Sequence, residues 1–255
     1  MHRNYKEVFR LRLLVIFLVG SLLAVPLVTS YATGSKPSPF CSSFNREVNP
    51  VISAFNDSFS KVLQAQTLQT QLLATQWQQT DQNIANSRKQ TDKNINDDFT
   101  KLGVKATTNI EKQAVNIYET NINELIAMRR SIHDEATATF RASVKSTLDL
   151  RQITIDGQSS AFQTAVNDAI NTARTSCTSN PTDGPRIHSI FQSSMNTAQT
   201  TFRNALIGDK SFTNRINQLI TQRNAVFKSA DDNFQSAQSS MVKALKNTFG
   251  KNSSI

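Results

Sequence analysis

The chain has 255 residues, a formal net charge of +9 and only 38% hydrophobic residues, a low apolar share for a globular domain. Serine, threonine, asparagine and glutamine make up more than a third of it, whereas glycine and proline contribute 7 and 6 residues. This shortage of turn-forming residues argues against a β-sandwich or a barrel, and so few glycines exclude collagen. Two cysteines and one long apolar run exclude a disulfide-dense miniprotein and a polytopic membrane protein.

The first 32 residues have the layout of a signal peptide. Basic residues precede an apolar run over 13–28, and the small residues around Tyr31 fit a peptidase site. We therefore predict cleavage after Ala32. The alternative is an uncleaved anchor whose basic end stays in the cytoplasm. Both readings export the chain from residue 33 onward, so we expect a secreted or extracytoplasmic protein.

The next segment, residues 33–49, contains several prolines and is predicted to be a linker. Asn49 is a candidate N-cap, and Pro50 suits the first position of a helix. Beyond Pro50, long stretches lack proline altogether, which favours continuous helix. We predict an all-α fold of elongated antiparallel coiled-coil or helical hairpins without a sheet. Its parts are a long hairpin over 50–178, a loop over 179–185 and a basic hairpin over 186–250.

An 11-residue repeat of apolar residues runs through the first helical span. An 11-residue period corresponds to about 3.67 residues per turn, which predicts one apolar stripe along a nearly straight helix. If the stripe is continuous, the helix does not stop at Gly103. The repeat consists of Val62, Leu73, Ile84, Ile95, Ala106, Ile117 and Met128.

Cys41 and Cys177 form an even pair in a chain predicted to be exported, so we expect a disulfide between them. A bridge within one chain requires the path to reverse about halfway, near residue 109, where glycine and β-branched residues lower helix propensity. The uninterrupted apolar stripe favours a different reversal, near Gly157, with the thiols free or intermolecular. We prefer the first arrangement, and the second stays open at this point.

Residues suited to catalysis are sparse. His133 and His188 are the histidines beyond residue 32, and no nucleophile, zinc-binding or phosphate-binding motif accompanies them. His133, Asp134 and Glu135 could supply acid and base groups, but consecutive helical residues point in different directions. We interpret this run as a solvated helix face. The sequence therefore predicts a protein that is not an enzyme and that uses no cofactor or metal.

The charge is concentrated at the C-terminal end. Residues 186–255 contain nine basic and three acidic residues, the whole net charge of +6 that remains beyond residue 32. Lys228, Lys243 and Lys246 fall largely opposite an apolar stripe, which Arg223 interrupts. We predict contact with an anionic envelope polymer or membrane surface, against the alternative of a solubilising face. The candidate contact residues are Arg215, Lys228, Lys243, Lys246 and Lys251.

These patterns together predict an exported structural or adhesive protein at the cell envelope. One alternative is an extracytoplasmic holdase chaperone, and a second is a helical pore-forming protein. Specific binding of nucleic acid is not expected, because the aromatic residues lie on the apolar stripe rather than among the basic residues. Polar residues within the predicted seams also suit a homo-oligomer or a second helical protein as partner.

Overall fold

A computed structural model describes residues 37–207 and 210–250. These residues form four helices and no strand, which confirms the predicted all-α fold for this part of the chain. The predicted signal segment over 1–32 and Lys251 lie outside the described residues. The helices are α1 (Pro39–Lys105), α2 (Asn109–Ser179), α3 (Gly184–Ile207) and α4 (Lys210–Phe249).

Helix α1 begins at Pro39, and not at Pro50 as predicted. The predicted linker over 33–49 is therefore wrong from residue 39 onward. Ser38 is the N-cap, because its Oγ accepts a hydrogen bond from the backbone N–H of Cys41 at 3.2 Å. Burial of Phe44 and Val48, each 3% exposed, gives this first stretch a reason to be helical. Pro50 is exposed inside the helix and does not end it, although it cannot donate a backbone hydrogen bond.

The break between α1 and α2 covers residues 106–108, where the disulfide-based reading expected the reversal. Thr108 and Glu111 form a capping box. Thr108 Oγ1 accepts from the backbone N–H of Glu111 at 3.2 Å, and the Glu111 carboxylate accepts from the N–H groups of Thr107 and Thr108 at 2.9 Å each. Helix α2 continues through Gly157, so the alternative reversal near Gly157 is wrong.

The described residues belong to two compact units. Among the described residues, unit 1 comprises those up to Leu72 together with Leu150–Lys210, and unit 2 comprises Leu73–Asp149 together with those from Ser211 onward. Each unit thus contains part of α1 and part of α2, together with either α3 or α4. The predicted hairpin over 186–250 does not stand as a unit of its own, because α3 and α4 belong to different units.

The core of unit 1 is a single cluster rich in phenylalanine. Phe162 is central to it, with ring centroids 4.6 Å from Phe55 on α1 and 5.2 Å from Phe202 on α3. A second set of rings pairs Phe44 with Phe191 at 5.3 Å, edge to face. Such tilted and edge-to-face pairs add to the stabilisation that burial itself provides.

The disulfide adjoins the core of unit 1. Cys41 and Cys177 are bonded at 2.03 Å and pack against the buried cluster, which confirms the predicted bridge. The α2–α3 loop lies against the same region, since the N–H of Ser38 donates to the carbonyl oxygen of Pro181 at 2.8 Å. Gly184 approaches Ser38 so closely that a Cβ at this position would overlap the serine side chain. Both a disulfide and a close glycine contact therefore hold the start of α1 within unit 1.

Unit 2 buries two small clusters rather than one large one. The first consists of Ala106, Val115 and Leu245, and the second of Phe140, Val144 and Leu219. Half-buried residues, among them Trp77 and Tyr118, extend these clusters. Unit 2 therefore has less continuous apolar packing than unit 1.

The predicted 11-residue stripe does not continue as a core stripe across the turn. Ile84 and Ile95 are half-buried on α1, and Ala106 is buried in the turn. On α2, however, Ile117 is 54% and Met128 is 61% exposed. The repeat is thus an accidental match in phase between two helices, and it carries no information about packing beyond Ala106.

Candidate anionic-partner interface

The predicted contact residues on α4 are accessible to solvent. Arg215, Lys228, Lys243 and Lys246 are all exposed, whereas Lys251 lies outside the described residues. The same helix buries apolar residues, each with 6% or less of its surface exposed: Leu219, Ala230 and Leu245. The amphipathic pattern predicted from the sequence is therefore present in α4, with these four cations directed toward solvent.

These cations differ in how far their charge is already neutralised. Lys228 forms an ion pair with Asp232 one turn further along α4. Arg215, Lys243 and Lys246 form no ion pair with any other residue that the structure describes. An exposed ion pair is weak and leaves most of the charge accessible to solvent. Lys243 and Lys246, close together near the end of α4, are therefore the strongest candidates for contact with an anion.

Arg223 has a structural role instead. Its guanidinium carbon lies 4.5 Å from the ring centroid of Phe140 and 5.6 Å from that of Phe227. Cation–π contact with two rings explains how a cation is accommodated in an apolar seam. The sequence revealed the interruption of the stripe, but the aromatic partner on α2 is more than 80 positions away and could not be inferred from spacing.

His133 does not lie on a solvated face, so the sequence interpretation was wrong for this residue. Its ring stacks on Phe227 with centroids 4.2 Å apart and planes 1° apart, and only 20% of the side chain is exposed. Nε2 lies 3.1 Å from Oδ1 of Asp231, yet it has no aligned hydrogen-bond partner among the described residues. The same aspartate oxygen accepts from Nε of Arg129 at 2.6 Å. Asp134 and Glu135 are exposed, as the sequence predicted.

Three two-pronged ion pairs join α1 to α2 in unit 2. Arg141 binds Asp81 at 2.7 and 2.8 Å, and Arg88 binds Asp134 at 2.7 and 2.9 Å. The third pair joins Arg130 to Asp92. Bidentate arginine–carboxylate pairs combine charge with defined geometry. We name these three pairs the ion-pair ladder.

The ladder has two further properties. Positions on α1 rise while their partners on α2 fall by equal steps, which shows that the two helices run antiparallel in unit 2. Hydrogen bonds from the arginines lower the pKa of each of the three aspartates. The sequence offered no signal for the ladder, because each pair joins residues at least 38 positions apart.

The structure shows no metal site or membrane-spanning helix within the part of the chain that it describes. No group of three or more histidine, cysteine, aspartate or glutamate side chains is placed to hold a metal ion there. None of the described helices combines the length and apolar character needed to cross a bilayer. Comparison with protein families, with curated proteins and with solved structures finds no match for this chain.

Proposed function

We propose that this protein is an exported, non-enzymatic structural or adhesive component of the cell envelope that contacts an anionic partner through α4. The observation that carries the proposal is the pair of exposed lysines, Lys243 and Lys246, which lack described ion-pair partners. Clustered cations on one helix face raise the local concentration of anions and speed their association. The buried apolar residues of α4, Leu219, Ala230 and Leu245, are used in packing and leave this face accessible.

Two features support export. The bridge between Cys41 and Cys177 suits an oxidising compartment, because cytosolic thiols are normally kept reduced. The basic and apolar N-terminal segment has the layout of an export signal.

His133, which the sequence offered as an acid–base group, is occupied in ring stacking and in the contact with Asp231. Its surroundings thus favour a structural role over a catalytic one.

A binding assay with a charge-matched control tests the proposal. The full chain would be titrated against immobilised polyphosphate, and compared with a variant carrying Arg215→Glu, Lys243→Glu and Lys246→Glu. The control reverses three exposed lysines of α1: Lys61, Lys89 and Lys93. Both variants change the net charge equally, so a difference between them reports location. We expect the α4 variant to bind about tenfold or more weakly than the control, and the difference to shrink as salt is added. Equal binding by the two variants would contradict the proposal.

A holdase chaperone remains the second candidate, because large apolar side chains are exposed in both units. Chaperones of this class need accessible apolar surface to hold unfolded chains. The test is whether the protein suppresses the aggregation of a heat-unfolded client. Suppression that falls when Leu68, Leu150 and Ile153 are changed to serine would favour the chaperone function over adhesion. The exposed side chains in the described residues are Leu68, Leu72, Val104, Ile110, Ile117, Met128, Leu150, Ile153, Ile190 and Val226.

A further inference from the structure

Three helix ends meet at one end of unit 2. Ala106 in the α1–α2 turn, Val115 on α2 and Leu245 on α4 form a single buried cluster. The packing of Leu245 against the other two places the last turns of α4 beside the α1–α2 turn. We define the turn end as residues 101–112 together with residues 243–250.

The turn end is strongly cationic. It contains five lysines and one acidic residue, Glu111, which gives a formal net charge of +4. All five lysines are exposed. One of them, Lys101, forms an ion pair at 2.9 Å with Asp98, which lies just outside the turn end. The lysines are Lys101, Lys105, Lys112, Lys243 and Lys246.

The single acidic residue of the turn end is already engaged. The Glu111 carboxylate accepts hydrogen bonds from the backbone N–H groups of Thr107 and Thr108 and from the Thr107 hydroxyl, at 2.9 to 3.0 Å. These backbone donors lower the pKa of Glu111, so it remains ionised and bound to the turn at neutral pH. Its charge is therefore directed at the chain's own backbone rather than at the neighbouring lysines.

Exposed apolar side chains flank the same turn. Val104 is 80% exposed and Ile110 is 72% exposed, the two highest values for a large apolar side chain in the described residues. One lies in the last turn of α1 and the other in the first turn of α2. The capping box fixes the turn between them, so both side chains are held outward without a further loss of chain entropy on binding.

We propose that the turn end docks on an anionic lipid bilayer, with its lysines at the headgroups and with Val104 and Ile110 inserted below them. The inference rests on the proposed function, since it names the anionic partner. Lysines near an acidic leaflet and apolar side chains buried at its boundary are the two contributions that hold peripheral helices on membranes. A soluble polyanion would use the lysines alone, and it would leave Val104 and Ile110 in water.

Two matched glycines allow the contact to be located in the full chain. Gly103 lies in the turn end and Gly157 lies in unit 1, and both are exposed with open space where a side chain would be placed. Because both native cysteines are bonded to each other, Gly103→Cys or Gly157→Cys supplies one thiol for a polarity-sensitive fluorophore. Vesicles of phosphatidylcholine mixed with phosphatidylserine would then be added. We expect a blue shift in emission from the probe at 103 and none at 157.

Variants separate the apolar contribution from the charge. With the probe at 103, V104S together with I110S should raise the lipid concentration needed for the shift by about tenfold or more, because two apolar side chains no longer leave water. The control, L68S together with I153S, changes side chains of comparable exposure in unit 1, 63% and 67%, and should leave the shift unchanged. Lys105→Glu should weaken the shift by about fivefold or more.

The remaining outcomes overturn the inference in distinguishable ways. Vesicle binding without a shift at 103 would mean that another segment makes the contact, the N-terminal segment included. A shift that persists undiminished in V104S/I110S, or one that polyphosphate alone produces, would mean a contact made by charge without insertion of Val104 and Ile110. If the native chain binds polyphosphate but does not respond to vesicles, the lipid inference is refuted and the proposed function stands. If it binds neither, both are refuted.

Discussion

Units 1 and 2 are built from the same two long helices but hold them together by different means. In unit 1, α1 and α2 are joined by the Cys41–Cys177 bond and by rings such as Phe55 and Phe162. In unit 2 the same helices are joined by the ion-pair ladder, and two small apolar clusters there include residues of α4. Apolar burial and a covalent link resist changes of pH and salt, whereas exposed ion pairs do not. The two halves of one helix pair should therefore respond differently to the same treatment.

Reduction of the disulfide is expected to have the largest effect and to affect unit 1 selectively. The bond closes a loop between residues 136 positions apart, which in the chain-entropy model corresponds to about 5 kcal/mol. Cys41→Ser together with Cys177→Ser should speed hydrogen exchange of the amides over 162–173, in the buried stretch of α2. Fluorescence of Trp77, the single tryptophan of the chain, reports unit 2 and should change less. An equal loss of stability reported by the 162–173 amides and by Trp77 would show that the two units unfold together.

The contact between Gly184 and Ser38 gives a second, smaller test. Gly184→Ala would force the new methyl group into the serine side chain that caps α1, and we expect a loss of about 1–3 kcal/mol in the free energy of unfolding. Gly157→Ala, in an open helical position, should instead stabilise the protein by about 0.5–1 kcal/mol. Urea unfolding of the two variants measures the contrast. A Gly184→Ala variant as stable as the native protein would show that α3 can shift without loss.

Acid should weaken unit 2. The effect expected for a single ion pair is smaller than that of disulfide reduction or of Gly184→Ala. The pKa values of Asp81, Asp92, Asp134 and Glu111 are lowered in the folded protein, so these groups stabilise it at neutral pH. That stabilisation is lost as the pH falls below about 4, through the folded pKa values. For the half-exposed pair of Asp81 with Arg141 we expect about 0.2–1 kcal/mol.

The acid test is read from Trp77, whose ring centroid lies 5.4 Å from the Arg141 guanidinium carbon. The urea midpoint reported by this residue should fall with acid more steeply than the exchange-based stability of residues 162–173. Arg141→Gln should flatten the acid dependence, because Asp81 then loses its charged partner. If Arg141→Gln left the dependence unchanged, this pair would not contribute to it.

Local features of the fold could be predicted from the sequence, and the partners of individual side chains could not. The absence of proline predicted long helices. The cysteine pair predicted the bridge and a reversal near residue 109, and the structure has the break over 106–108. The start of α1 was missed, because Ser38-Pro39 and Asn49-Pro50 are equally good cap signals. Only burial of residues that follow Pro39 distinguishes the two, and burial depends on the other helices.

The candidate interface shows the same limit. The exposure of Lys243 and Lys246 followed from helical periodicity along one segment. Their proximity to the α1–α2 turn did not, because it depends on contacts of Leu245 with residues more than 100 positions away. His133 and Arg223 were likewise misread or left unexplained for want of their aromatic partners. Periodicity predicts which side of a helix is buried, but it carries no information on the neighbour that buries it.

The order of charges in the ion-pair ladder has a consequence for misalignment of the helices. Along α1 the sequence runs acid, base, acid, and along α2 the partners run base, acid, base. A slide of α2 by about one turn would set Arg130 against Arg88 in one direction and Asp134 against Asp92 in the other. A slide of about two turns would bring together Asp134 with Asp81, or Arg141 with Arg88. Each of these displacements replaces attraction with repulsion, so the alternation rejects shifted alignments that a uniform row of pairs would tolerate.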